Sequence, residues 1–154
     1  ERGVVDGRFH VGVVSAIHKR SALEYISLYD EAEYLYCAKE HPLFGRDDCA
    51  ISATEIQACD AVQTSQSLQV DEARALNVTA TANDREGVAF LVLTGKFIGY
   101  LPKHFAARWV QTGQIRVLKP KKYCNENRYA IVTRSGRLHN RVLEHFLREV
   151  KKRQ

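Results

Sequence analysis

Apolar residues recur along this chain in two rhythms, one of strands and one of helices. Residues 9–14, FHVGVV, form a nearly unbroken apolar run with β-branched side chains, which predicts an interior strand of a parallel sheet, buried on both faces. Residues 23–29 and 33–38, rich in Tyr, Leu and Ile, predict two further short strands separated at Asp30 and Glu31. His41, Pro42 and Leu43 come next, and a proline there suits departure from the sheet because it offers no ladder donor. Residues 52–58 predict a short helix capped by Ser52, with Glu55 at the spacing of a capping box. Strands are expected at 60–63 and 78–82, with a short helix near 71–76 between them.

The helical rhythm strengthens after Asn83. With Asn83 as cap and Glu86 three positions on, a helix is expected over 84–94, and the apolar run 88–93 predicts that it is buried before ending at Gly95. A strand at 97–101 follows, and Pro102 suits the first turn of a helix whose face is Phe105, Ala106, Trp109 and Val110, stopping at Gly113. Strands at 115–118 and 128–133 flank a polar link at 119–122. A terminal helix over 138–152 spaces Leu138, Val142, Phe146 and Val150 by four, with Leu143 and Leu147 beside them. At about 1.5–3 kcal/mol per buried side chain, such a stripe has to be covered by a sheet or a partner.

The order predicts a chain that leaves one lobe near His41, builds a second α/β lobe, and returns near Lys121. The expected division is 1–38 for the first part of the first lobe, 39–119 for the second lobe, and 120–154 for the returning strand and terminal helix. Two lobes joined by two crossovers close around small ligands by hinge motion.

Composition narrows the class. A chain of 154 residues with 45% hydrophobic content supports a packed core. The longest apolar stretch, residues 88–94, is far shorter than the about 20 residues a membrane helix needs, so no membrane partner is expected. Residue 1 is Glu and Met is absent, so Glu1 is not read as a native start. Residues 1–95 carry 8 basic and 15 acidic side chains, residues 96–154 carry 15 and 3. The basic residues are dispersed among apolar ones, so the expectation is that the two halves interleave in space and offset each other, rather than forming a nucleic-acid face.

Chemistry-bearing residues are sparse. Cys37, Cys49, Cys59 and Cys124 form no C-x-x-C pair and have no histidine at zinc-finger spacing, so they read as reduced, mostly buried thiols of a cytoplasmic protein. The six histidines form no ligand set, and neither a metal nor a cofactor is expected. Gly95 and Gly99 lack the Lys and Ser/Thr of a phosphate loop and follow a helix rather than a strand. No serine stands in a nucleophile-elbow context.

Several segments resemble the effector domains of LysR-type transcriptional regulators. Residues 6–13, DGRFHVGV, look like that family's glycine-then-strand segment, and 35–43 with His41, Pro42, Leu43 resemble its first crossover. The strongest match is 83–106, NDREGVAFLVLTGKFIGYLPKHFA, similar to the family's helix, glycine turn, strand and proline-started helix. The resemblance implies two Rossmann-like lobes of the type 2 periplasmic-binding-protein class, the first incomplete in this chain. It also implies a homodimer or tetramer, and promoter DNA bound through a winged helix-turn-helix that has no counterpart in these residues.

It further implies a small-molecule effector held in the cleft between lobes. Carried over by position, the contacts would come from Ser15, from Gln63, Thr64 and Ser65, from Asn83 and Asp84, and from Tyr100. Asp84 and Glu86 already place negative charge at a helix start, so an anionic effector would need Arg85, His18 or His104. Two other classes remain open: a periplasmic solute-binding protein serving a transporter, and an enzyme, for which Asp84 is the one general acid or base to be named. The leading reading is a regulator with no catalytic activity.

Overall fold

Two long strands carry the chain between two units. The computed structural model describes residues 1–15, 20–65, 75–136 and 141–152. One unit combines Glu1–Glu31 with Glu126–Gln154, and the other is Ala32–Asn125. The connecting strands are β2 (Leu23–Ala38) and β7 (Cys124–Arg134). The division falls inside both, at 31/32 and 125/126, where the sequence pattern places it at the strand ends, 38/39 and 119/120. His18, Leu138 and His139 lie outside the described residues, as does most of the helix expected near 71–76.

In the first unit, β1 (Val11–Ser15) pairs antiparallel with β7, Val11 opposite Thr133 and Ser15 opposite Tyr129. This corrects the buried parallel strand expected at 9–14. Among the described residues β1 ends the strand order, so one of its edges has no ladder partner, and Val13 is 59% exposed. A continuous apolar run had suggested burial on both faces, yet such runs also occur where one face is left open.

Asp30 and Glu31 do not divide β2, which runs unbroken for 16 residues. Asp30 is exposed, while Glu31 is only 4% exposed and accepts a hydrogen bond from the Tyr129 hydroxyl at 3.3 Å. A strand is a backbone ladder, and a charged side chain interrupts it only if its burial is uncompensated. The helix α5 (Arg141–Lys151) buries Leu143 and Leu147 with Ile131, while Val150, Val11, Ile26 and Leu28 pack partly buried alongside. The stripe expected through Val142 and Phe146 is its flank instead, with Val142 81% exposed. On a 3.6-residue turn, Leu143, Leu147 and Val150 fall within one narrow arc.

The second unit is a sheet covered on both faces. Strands β5 (Ile98–Pro102) and β6 (Ile115–Val117) pair antiparallel with β2, and β3 (Asp60–Thr64) runs parallel to both β5 and β4 (Asn77–Ala82). The side-chain period of two sorts the core. Tyr36, Ala38, Val62 and Leu101 pack with Val88, Ala89 and Val92 of α3 (Arg85–Leu93) and Ala106 and Trp109 of α4 (Lys103–Gln111). The alternate residues Leu35, Cys37, Ala61 and Ile98 pack on the other face with Leu43, Ile51, Ile56 of α2 (Ala53–Ala58), Leu118 and Tyr123.

Local signals in this unit resolve with small shifts. Ser52 and Glu55 form the expected capping box, each satisfying the other's backbone amide. Pro102 is the N-cap of α4 and the last residue of β5 rather than part of the helix. Helix α3 is amphipathic, not buried throughout: Phe90 is 67% exposed. Val110 is likewise exposed, at the margin of the arc that Ala106 and Trp109 bury. All four cysteines are free, as expected, but only Cys37 is buried, and Cys49 is exposed.

Candidate functional site

Parallel strands present their carboxyl ends along one edge, and in open α/β sheets ligands bind there. In the second unit β3, β4 and β5 share this direction, so Thr64, Ala82 and Pro102 end at the same edge. Thr64 stands opposite Ala82, and the Ser65 amide extends the pairing to the Ala82 carbonyl at 2.8 Å. Asn83 and Asp84 follow directly, then α3. The residues expected from sequence at Gln63, Thr64, Ser65, Asn83 and Asp84 are thus brought together by strand register.

Asp84, not Asn83, caps α3: its Oδ1 accepts from the Gly87 amide at 2.8 Å. The cap therefore lies one residue later than its spacing from Glu86 suggested. Asn83 is exposed and has no capping duty, which leaves its carboxamide at the edge. Gly87 makes this turn possible, because a Cβ there would lie 2.8 Å from the Ala82 Cβ and 3.2 Å from Asp84 Oδ1. Gly99 serves similarly one strand over. Its Cβ would meet Val62 Cγ1 and Val92 Cγ2 at 3.0 Å, so its absence lets β5 lie close to β3 and α3.

Tyr100 sits deeper. Continuing the β3–β5 register by one residue puts it beside Gln63, and its ring packs against the face opposite α3, with Phe44, Cys59 and Leu76 bordering the same core. Its hydroxyl oxygen is buried. Gln63 and Tyr100 therefore share one face of the sheet, and Thr64 lies on the α3 side. Of the cations considered for an anionic ligand, Arg85 approaches Glu33 at 3.8 Å and His104 is exposed on the first turn of α4. No side-chain cap or acidic residue occupies that turn.

Ser15 belongs to the first unit, at the end of β1 and exposed. Directly opposite it on β7 is Tyr129, whose ring stacks on Tyr29 with centroids 5.0 Å apart and whose hydroxyl donates to Glu31. The sequence reading named Ser15 but passed over these three neighbours. The available signal was Glu31 itself, a carboxylate within a long strand pattern, which is more informative when buried than the apolar residues around it.

Titration behaviour away from this edge has plain causes. Burial holds His41 below its ordinary value, and its Nδ1 accepts from the Leu43 amide at 3.2 Å. Burial pushes Cys37 up to about 11, partly offset by Arg116, while Arg46 and Ser52 hold Glu55 at about 2. Among the described residues no group of three or more His, Cys, Asp or Glu is placed to hold a metal ion. No described helix is long and apolar enough to cross a membrane.

The family model "LysR substrate binding domain" matches residues 1–154. The HTH-type transcriptional activator BauR of Pseudomonas aeruginosa is 52% identical over 154 residues, covering 97% of this chain and 50% of that protein. The chain thus spans about half the length of the curated relative it matches. Among solved structures, the bromide-bound regulatory domain of HypT from Salmonella typhimurium superposes with a TM-score of 0.74 at 13% identity, over 98% of this chain and 75% of that one. Full-length LysG from Corynebacterium glutamicum with bound effector Arg gives 0.73 at 14% identity, over 98% and 53%. These structures share the α/β architecture of two lobes joined by two crossover strands.

Proposed function

This chain belongs to the LysR substrate-binding domain family, and from that premise we propose that it is the effector-sensing part of a cytoplasmic transcriptional regulator. In this reading it binds a small molecule, associates with copies of itself as a dimer or tetramer, and acts on promoter DNA through a winged helix-turn-helix elsewhere in its polypeptide. Its relative BauR is named a transcriptional activator, and LysG holds Arg as an effector. Neither name describes catalysis, and the solute-binding alternative finds no support in them.

The observation that carries the reading is the convergence of Gln63, Thr64, Ser65, Asn83 and Asp84 at the carboxyl ends of parallel strands. Hydroxyl and carboxamide groups at such an edge offer a ligand both donors and acceptors. Tyr100 beside Gln63 completes the proposed contacts of the second unit, and Ser15 is a separate proposed contact of the first. A coupling of about 1–3 kcal/mol between effector and DNA is enough for regulation.

A metabolite panel read by thermal shift tests this. An effector at about a hundred times its Kd stabilises by about 2.7 kcal/mol, and the resulting rise in Tm is expected to vanish in Thr64→Ala and in Asn83→Ala. Because Asn83 does not cap α3, its substitution leaves the Tm of the unliganded chain unchanged. A rise that survives both substitutions places the ligand elsewhere. Turnover of any bound metabolite, lost in Asp84→Asn, would make the chain an enzyme instead.

A further inference from the structure

We propose that residues 43–51 form a strap over one face of the second unit, buckled by Arg116, which opens on its own and uncovers the Cys37 thiol. Among the described residues, the amides of Phe44, Arg46, Ala50 and Ile51 bond to the carbonyls of His41, Leu43, Asp47 and Asp48, and the Cys49 amide bonds to the Asp47 side chain. These turns tie the segment to itself and not to the sheet. Leu43 and Ile51 are sunk in the core that holds Cys37, Ala61 and Ile98, while Gly45, Arg46, Asp47, Cys49 and Ala50 between them are exposed. Local opening is drawn from segments with few buried contacts and few backbone bonds to their surroundings.

Two cations of the returning chain hold the strap down. Arg116 stands directly opposite Cys37 in the β2–β6 ladder. Its Nη2 donates to the Leu43 carbonyl at 3.1 Å and the Arg46 carbonyl at 2.8 Å, and it pairs with Asp48 Oδ1 at 3.1 Å. Lys119 donates its amide to Asp48 Oδ2 at 3.0 Å and its Nζ to the Ile51 carbonyl. Among the described residues Lys119 is the one non-glycine with a positive φ, +43°, a costly conformation that persists where its surroundings hold it. Asp48 is therefore the joint on which both cations close. Cys37 is fully buried and its thiol is pushed up to about 11, so at pH 8 a thiol reagent reaches the reactive thiolate only after the strap has opened.

The chain is treated with iodoacetamide at pH 8 and alkylation of Cys37 is followed by peptide mass spectrometry, with the exposed Cys49 reporting the active reagent. Asp48→Asn keeps the size and an acceptor but removes the charge that both cations meet. It is expected to speed alkylation of Cys37 by about tenfold or more, the scale of a hydrogen bond to a charged group, while hydrogen exchange at the amides of β3 and β5 keeps its parent rate. Acceleration of those amides by the same factor overturns the strap, because Cys37 is then reached only when the whole unit unfolds. An unchanged alkylation rate overturns the buckle and the proposal with it. If the variant does not fold, urea dependence in the unaltered chain decides: opening of the strap exposes little surface, so alkylation rises less steeply with urea than exchange in β3 and β5. One shared slope overturns the proposal.

Discussion

Individual side chains account for the pH behaviour and tight packing of this chain. His41 is buried and its Nδ1 accepts a hydrogen bond from the Leu43 amide, both of which favour the neutral ring in the native state. The unfolded chain takes up a proton near the ordinary value of 6.5, above the lowered native one. Its contribution to stability is therefore complete above that pH and is lost as pH falls through 6.5 toward the native value. Tm measured from pH 7 to pH 5 should fall more steeply in the parent than in His41→Asn, which keeps an acceptor and does not titrate. Gly87 offers a second test. Gly87→Ala drives a methyl to 2.8 Å from the Ala82 Cβ, so a loss of about 1–3 kcal/mol is expected by chemical denaturation, partly regained in Ala82→Gly/Gly87→Ala.

At the scale of elements, signals that depend on a few adjacent residues were legible and those that depend on pairing were not. The Ser52–Glu55 box could be read because both partners lie within one turn, and Ser52→Ala should cost about 1 kcal/mol of stability in urea unfolding. The edge position of β1 was hidden, because an apolar run is compatible with a covered or an open neighbour and only β7, over a hundred residues on, decides it. Likewise Glu31 looked like a break until Tyr129 supplied its hydrogen bond. The apolar arc of α5 was misplaced by one residue because spacing of four and spacing of three were both present, and only contact with Ile131 chooses between them. The polar edge was more legible: it follows from strand ends, and Gln63 to Ser65 and Asn83 mark those ends themselves.

For the molecule as a whole, the charge imbalance along the sequence shrinks once residues are grouped by unit. The first unit holds 12 basic and 8 acidic side chains and the second 11 and 10, so the halves do interleave. With basic and acidic side chains mixed in both units, this chain alone is expected to show a shallow salt dependence and no retarded complex with duplex DNA at about 150 mM salt in a mobility-shift assay. Steep salt dependence would point to a basic surface of its own.

The second unit is an insertion between Glu31 and Glu126. Bringing those two points together across roughly ninety unstructured residues costs about 4 kcal/mol in closure entropy, a cost that vanishes once the insert has already collapsed around Leu35, Ile98 and Val62. Assembly is thus expected to run from the inside of the chain outward. In pulse-labelled hydrogen exchange during refolding, amides of β3 and β5 should gain protection before those of β1, whose partner strand arrives only when the excursion is finished.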